Sequence, residues 1–235
     1  MMRCVRSTGS PCVYVPDVFK EADAERIAQF VARHPLATLI AVQDGLPHAD
    51  HLPFLCLDQL APGGTFIAHT SLANPTWKLA ETRPDVLLVF SGAAAYVSPS
   101  LYPSKQQTHE VVPTYNYVSV HIRGRLSHSH DPATKLQYVE RLTRAMEAVR
   151  AEPWTVSDAP APYIEKMLKG LVALTLEVTS VTAKSKASQN RLLQDQYGVA
   201  EGLAEQPATQ EAAALVATRL ATLHPKRPDH ERSGQ

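Results

Sequence analysis

Four short stretches of this chain carry residue types that could do chemistry. AHTSLANPTWK (residues 68–78) follows an apolar run and holds Asn74 then Pro75, a pair that starts helices. The first turn of such a helix presents unpaired N–H groups and the positive end of the dipole, which suits a phosphate or another anion. His69, Ser71 and Lys78 are close enough in sequence to add donors, while the plainer alternative has Asn74 capping a surface helix and Trp77 packing on a sheet. The second stretch, YVSPSLYPSK (96–105), leads to VPTYNY (112–117) and gathers Tyr96, Ser98, Tyr102, Tyr115, Asn116 and Tyr117. Aromatic bodies with polar tips suit a planar heteroaromatic ligand or a wet subunit interface. The alternative is a loop stiffened by Pro99, Pro103 and Pro113 beside ordinary core tyrosines. The third, KSKASQNR (184–191), sets Lys186, Ser188, Gln189 and Asn190 together as a donor-rich run, or as a solvated loop. In the fourth, PHADHLP (47–53), His48 and Asp50 share a strand face and His51 points away, a poor three-ligand metal set. With no GxSxG, HExxH or P-loop, no residue is assigned a catalytic role and metal ligation is not expected. Glu140, Glu147 and Glu152 read as the solvated side of a helix.

Periodicity supplies the elements that must position these stretches. Strands are expected at 36–42, 51–57, 65–69, 86–90 (with 93–98 extending it or following a bulge), 112–126 and 172–181. The 112–126 strand has two unlike faces. Val118, Val120, Ile122, Gly124 and Leu126 line one, while Tyr115, Tyr117, Ser119, His121, Arg123 and Arg125 line the other. Helices are expected at 21–33, from Asp131 and Pro132 to about 149, at 162–169 with Gly170 closing in a left-handed conformation, and at 210–223. Six strands with short links suggest an antiparallel barrel closed on itself, flanked by helices, which is an α+β fold. The expected division is a flexible leader at 1–12, a barrel domain at 13–206, and a helix with a polar tail at 207–235.

Composition sets bounds on partners. Of 235 residues, 44% are hydrophobic and 20% charged, values of a globular chain. The 23 Lys and Arg balance the 23 Asp and Glu, so no net field draws the chain to nucleic acid or membranes. Cys4, Cys12 and Cys56 form no CxxC pair, which points to reduced thiols in a cytoplasm. No apolar run approaches the ~18 residues of a membrane span, and the N-terminus lacks the apolar core of a signal peptide.

In combination, VYVPDVF, HPLATL, HADHLP, AHTSLANPTWK, AYVSPSLYPSK, VVPTYNYVSVHIRG, EPWTV and SQNR resemble the PaiB-type family of FMN-binding negative transcriptional regulators. The likeness runs from Val13 to about Gly202. It implies an FMN-binding split β-barrel that dimerises, with FMN in a groove at the subunit interface faced by the 115–125 strand. It further implies cofactor contacts from His69, Ser71, Asn74, Trp77, Lys78, Tyr96, Ser98, Tyr115, Asn116, Tyr117, Lys186, Ser188, Gln189 and Asn190. DNA as a partner and negative regulation of transcription are implied by the resemblance alone, since no helix-turn-helix or basic stripe accompanies them. The competing expectation is a flavin- or haem-dependent enzyme on the same fold, with His69 as the iron ligand and His121 next in line. The chain departs from the family's pattern inside the motifs. Ala68 replaces a glycine, Leu72 an arginine, Ala93 a proline and Leu101 a tryptophan, Tyr115 stands for tryptophan, and Ser185 and Ala187 replace large apolar residues. Loss of the cation at Leu72 would remove a charge-assisted contact of about 1.5–3 kcal/mol.

Overall fold

Alternating apolar residues build the frame seen in the computed structural model, which describes residues 14–224. The expected leader and polar tail, with Cys4 and Cys12, lie outside the described residues. In chain order the elements are β1 (Lys20–Glu21), α1 (Ala24–Arg33), β2 (Leu36–Gln43), β3 (Leu46–Pro53), β4 (Leu55–Cys56) and β5 (Thr65–Ser71). There follow α2 (Leu79–Thr82), β6 (Asp85–Val97), α3 (Lys105–Thr108), β7 (Thr114–Ser129) and α4 (Pro132–Glu147). Last come α5 (Ala161–Lys169), β8 (Leu171–Lys186), α6 (Leu193–Ala204) and α7 (Gln210–Leu223).

The strands form one antiparallel sheet in the order β3-β2-β6-β7-β8-β5-β4, with β1 added to the far half of β8. The hairpin of β2 and β3 turns at Asp44 and Gly45, whose φ values of 52° and 80° give the two-residue turn that matches strand twist. Inward side chains such as Leu39, Phe54, Phe66, Leu88, Phe90, Ile122 and Leu176 are fully enclosed and make the barrel core. The register shifts between Ser91 and Ala94 in β6, and between Arg123 and Gly124 on β7, bend the long strands. Beyond the bends, Ala95, Val97 and Ala187 continue into a second core shared with Val199, Leu203, Ala213 and Val216 of α6 and α7.

The sheet corrects the expectation of a closed barrel: its hydrogen-bonded path ends at β3 on one side and β4 on the other, so the barrel is split. Side chains span part of the gap. Asp50 of β3 accepts hydrogen bonds from Asn74 Nδ2 and from Thr76 Oγ1 (2.9 Å), both just after β5. The second strand of the hairpin starts earlier than its apolar run suggests, because its first half is solvent-exposed and lacks an apolar signal. Gly170 has φ −86°, not left-handed, since the chain passes from α5 directly into β8. Caps behave as their residue types require: Asp23 accepts from the N–H groups of Glu25 and Arg26, and Asp131 from that of Thr134. Buried Lys135 donates to Leu168 O (3.1 Å), tying α4 to the C-terminal end of α5.

Candidate functional site

The residues singled out by sequence separate into two groups on this sheet. The first lies at the end of β5. His69 pairs with Ala173 at the start of β8, and Ser71 with Leu171. The second lies at the other end of β8, where Tyr117 pairs with Lys186 and, through β6, Tyr96 with Tyr115. Along β8 the two groups are separated by roughly 40 Å of strand.

In the first group, Asn74 caps a short 3-10 turn (Pro75–Lys78) that passes into the single turn of α2. Its Oδ1 accepts from Thr76 N (2.9 Å) while its Nδ2 donates to Asp50. The cap thus already faces a carboxylate, and Asn74 holds the loop across the split where the sequence suggested an open anion cradle. Trp77 donates its indole N–H to Leu72 O (3.2 Å) and packs near His128 and His130, with Lys78 5.5 Å above its ring. Ser71 is exposed and accepts from Ala73 N (3.2 Å). His69 is half-buried, its Nδ1 has no partner among the described residues, and burial holds its imidazole below the ordinary value of 6.5.

The second group is denser. The rings of Tyr96 and Tyr115 meet edge to face at 5.7 Å, and both are more than half exposed. Lys184, which the sequence reading missed as a site residue, lies 5.2 Å from the Tyr117 ring and 5.8 Å from that of Tyr14. Period-two alternation in KSK could have found it, because Lys184 and Lys186 fall on the face of β8 that Tyr117 and Ser119 share on β7. Lys186 donates to Thr114 Oγ1. Its ammonium is pushed below its usual value by burial foremost, with Lys184 and Arg191 adding repulsion against the opposing pull of Tyr117. No ion pair to a carboxylate forms at Lys184, Lys186 or Arg191 among the described residues. On the same face His121 is half-buried and its Nδ1 lacks a partner among the described residues; burial first, then Arg123 and Lys184, hold its imidazole below the ordinary value.

Other members of this group spend their hydrogen bonds on the scaffold. Asn116 is fully buried and donates to Ser188 Oγ (2.9 Å), whose backbone sits at φ 61°. Gln189 accepts from Ala187 N (2.7 Å) and donates to Ser185 O (2.6 Å), closing the turn after β8. Ser98 caps the turn at Ser100, and Asn190 is exposed. The SQN run therefore fixes the lysine-bearing end of β8, leaving Tyr96, Tyr115, Tyr117, Lys184, Lys186 and Asn190 to meet a ligand. An anionic, planar molecule fits that donor set: aromatic faces border cations that lack a counter-charge.

Residues 13–180 match the family described as "Putative FMN-binding domain". The chain belongs to the PaiB-type FMN-binding family. It is 33% identical over 213 residues to the protease synthase and sporulation protein PAI 2 of Bacillus subtilis, an alignment covering 88% of this chain and 98% of that protein. Its fold is similar to the flavocytochrome Anf3 of Azotobacter vinelandii, with TM-score 0.52 and 18% identity over 72% of this chain and 69% of that one. It is likewise similar to a FAD and haem binding protein of Mycobacterium smegmatis, with TM-score 0.52 and 19% identity over 71% and 73% of the two chains. Within this PaiB-type chain the motif departures sit at defined places. Ala68 and Ala187 are buried in the two cores, and Leu72 is exposed. Leu101 packs so closely on α6 that a Cβ at Gly202 would stand 2.4 Å from its Cδ2.

Proposed function

We propose that this protein is a dimeric flavoprotein that binds FMN in a groove bordered by Tyr115, Tyr117, Lys184 and Lys186 and completed by a second copy. The observation that carries this reading is the uncompensated cation cluster beside exposed tyrosines, on a chain of the FMN-binding family. Separation of the two residue groups along β8 supports completion of each groove by the partner, whose His69–Lys78 region would close it. When bound, the flavin supplies an electron-accepting ring. The chain's own residues orient it: the lysines offer donors to its anionic end, the tyrosines a stacking face, and the imidazole of His121 a hydrogen-bonding group on the same sheet face. A regulatory role follows the Bacillus subtilis relative's naming for protease synthesis and sporulation. With a net charge of zero, that role is better served by a flavin-dependent protein contact than by direct reading of DNA.

Absorption titration of the full chain with FMN tests the reading. Saturable binding is expected, weakened roughly ten- to a hundredfold by Lys186→Gln, the loss of one charge-assisted contact. Equal affinity in the folded variant would refute the assignment of Lys186. A second reading, a haem protein, is favoured by two half-buried imidazoles whose Nδ1 atoms have no partner among the described residues, at His69 and His121. Haemin added in parallel separates the two, because a Soret band lost in His69→Ala or His121→Ala would select haem.

A further inference from the structure

A cavity of about 280 Å3 lies on the opposite side of the sheet from the tyrosine groove, between α1, α7 and the inner face of β7 and β8. Short side chains leave it open: Ala93, Ala183 and Ser185 form its floor beneath Phe30 and Leu215. Gly92 lets the Phe30 ring approach, since a Cβ there would stand 2.7 Å from the ring. An enclosed apolar cavity of about 150 Å3 suffices for benzene, so this cleft has room for a small apolar body.

Two features say what its occupant carries. Ser185 is only 4% exposed and no described residue hydrogen-bonds its hydroxyl, which is left to face the cavity and a ligand or water in it. The rim carries Arg26, Arg33 and Arg219 with Glu21 and Glu211, and Arg26 also pairs with Asp23 at 3.4 Å. Both carboxylates are engaged. Glu21 accepts from Ala22 N and Asp23 N and pairs with Arg219 at 3.0 Å, and Glu211 faces His34 Nε2 at 3.2 Å. Among the described residues Arg33 reaches only Gln29 O, at 3.4 Å, and keeps its remaining donors for an anion. We propose that this cavity is a second ligand site, for a small amphipathic monocarboxylate whose apolar body rests on Val118, Val120 and Leu215 and whose carboxylate meets Arg33 at the rim.

Calorimetric titration of the full chain with octanoate, 1-octanol and octylamine tests the assignment. Saturable octanoate binding is expected, about tenfold or more tighter than 1-octanol, with no heat of binding from octylamine. Ala214→Trp plugs the mouth from an exposed position, and Ser185→Phe fills the floor; each should abolish octanoate binding. Arg33→Gln should bring octanoate down to the level of octanol. Absence of saturable octanoate binding, equal affinity for octanol, retained binding in either folded plugging variant, or displacement of octanoate by FMN would each overturn the proposal.

Discussion

His69 and His121 hold the clearest physical signal at single-residue scale. Each is a half-buried imidazole with an unpartnered Nδ1, held below 6.5 by burial, and at His121 also by Arg123 and Lys184. In the unfolded chain both take up a proton near the ordinary histidine value, so the unfolded state binds more protons there and stability rises with pH. The stabilisation is fully present above about 6.5 and is lost as pH falls toward the depressed folded values. Denaturant midpoints at about pH 7.5 and about pH 5.5 should therefore differ, and the His69→Gln/His121→Gln variant should flatten the difference. An unchanged slope would place the acid sensitivity elsewhere. Asn116 is the structural counterpart. Its truncation to Ala leaves Ser188 without its buried partner and should cost about 1–3 kcal/mol, read as a lower thermal midpoint. Because the two residues share one interaction, Asn116→Ala with Ser188→Ala should cost less than the sum of the singles.

Register shifts bend the long strands β6 and β7 against their neighbours. At Gly124 a Cβ would stand 2.5 Å from Glu177 O and from Leu176 Cδ2, so the register shift of β7 on β8 needs glycine. Gly124→Ala should destabilise the fold by roughly 1–3 kcal/mol through overpacking against backbone, checked by chemical denaturation. The strands and helices with a strong apolar period were legible in the sequence, as the 210–223 helix and the inward alternation of Val172, Leu174, Leu176 and Val178 show. Others carried no such signal. β1 and β4 are two residues long, β3 begins in an exposed half, and α6 mixes buried Asp195 and Gln196 with apolar residues. Asp195 looks like a solvated charge until Ser104 is seen to donate its N–H and hydroxyl to it (2.9 and 2.8 Å). In the candidate site, residue types were legible but duties were not. Asn74, Ser188 and Gln189 are hydrogen-bonding residues whose partners come from distant turns or their own backbone, and one-dimensional spacing does not distinguish that from ligand binding.

At the scale of the whole molecule, the geometry of β8 makes a strong demand. Its two ends carry the two groups of candidate cofactor contacts, and an antiparallel strand cannot bring its own ends together. A two-fold axis can, because it sets the start of one copy's β8 against the end of the other's and makes two equivalent grooves. Exposed Tyr96, Tyr115 and Leu72 at the two ends are the apolar surface such an axis would cover. The arrangement has a consequence that a self-contained site lacks. Lys78 is an exposed cation of the first group and Lys186 belongs to the second, so Lys78→Glu or Lys186→Glu alone spoils both grooves of a homodimer. A purified heterodimer of the two variants should regain one intact groove, built from the unaltered end of each chain, and bind a single FMN per dimer with the affinity of the parent. If each chain instead completed its own groove, both grooves of the heterodimer would carry one substitution and neither would bind at parent affinity. Flavin titration of the tagged, separated heterodimer reads the difference directly.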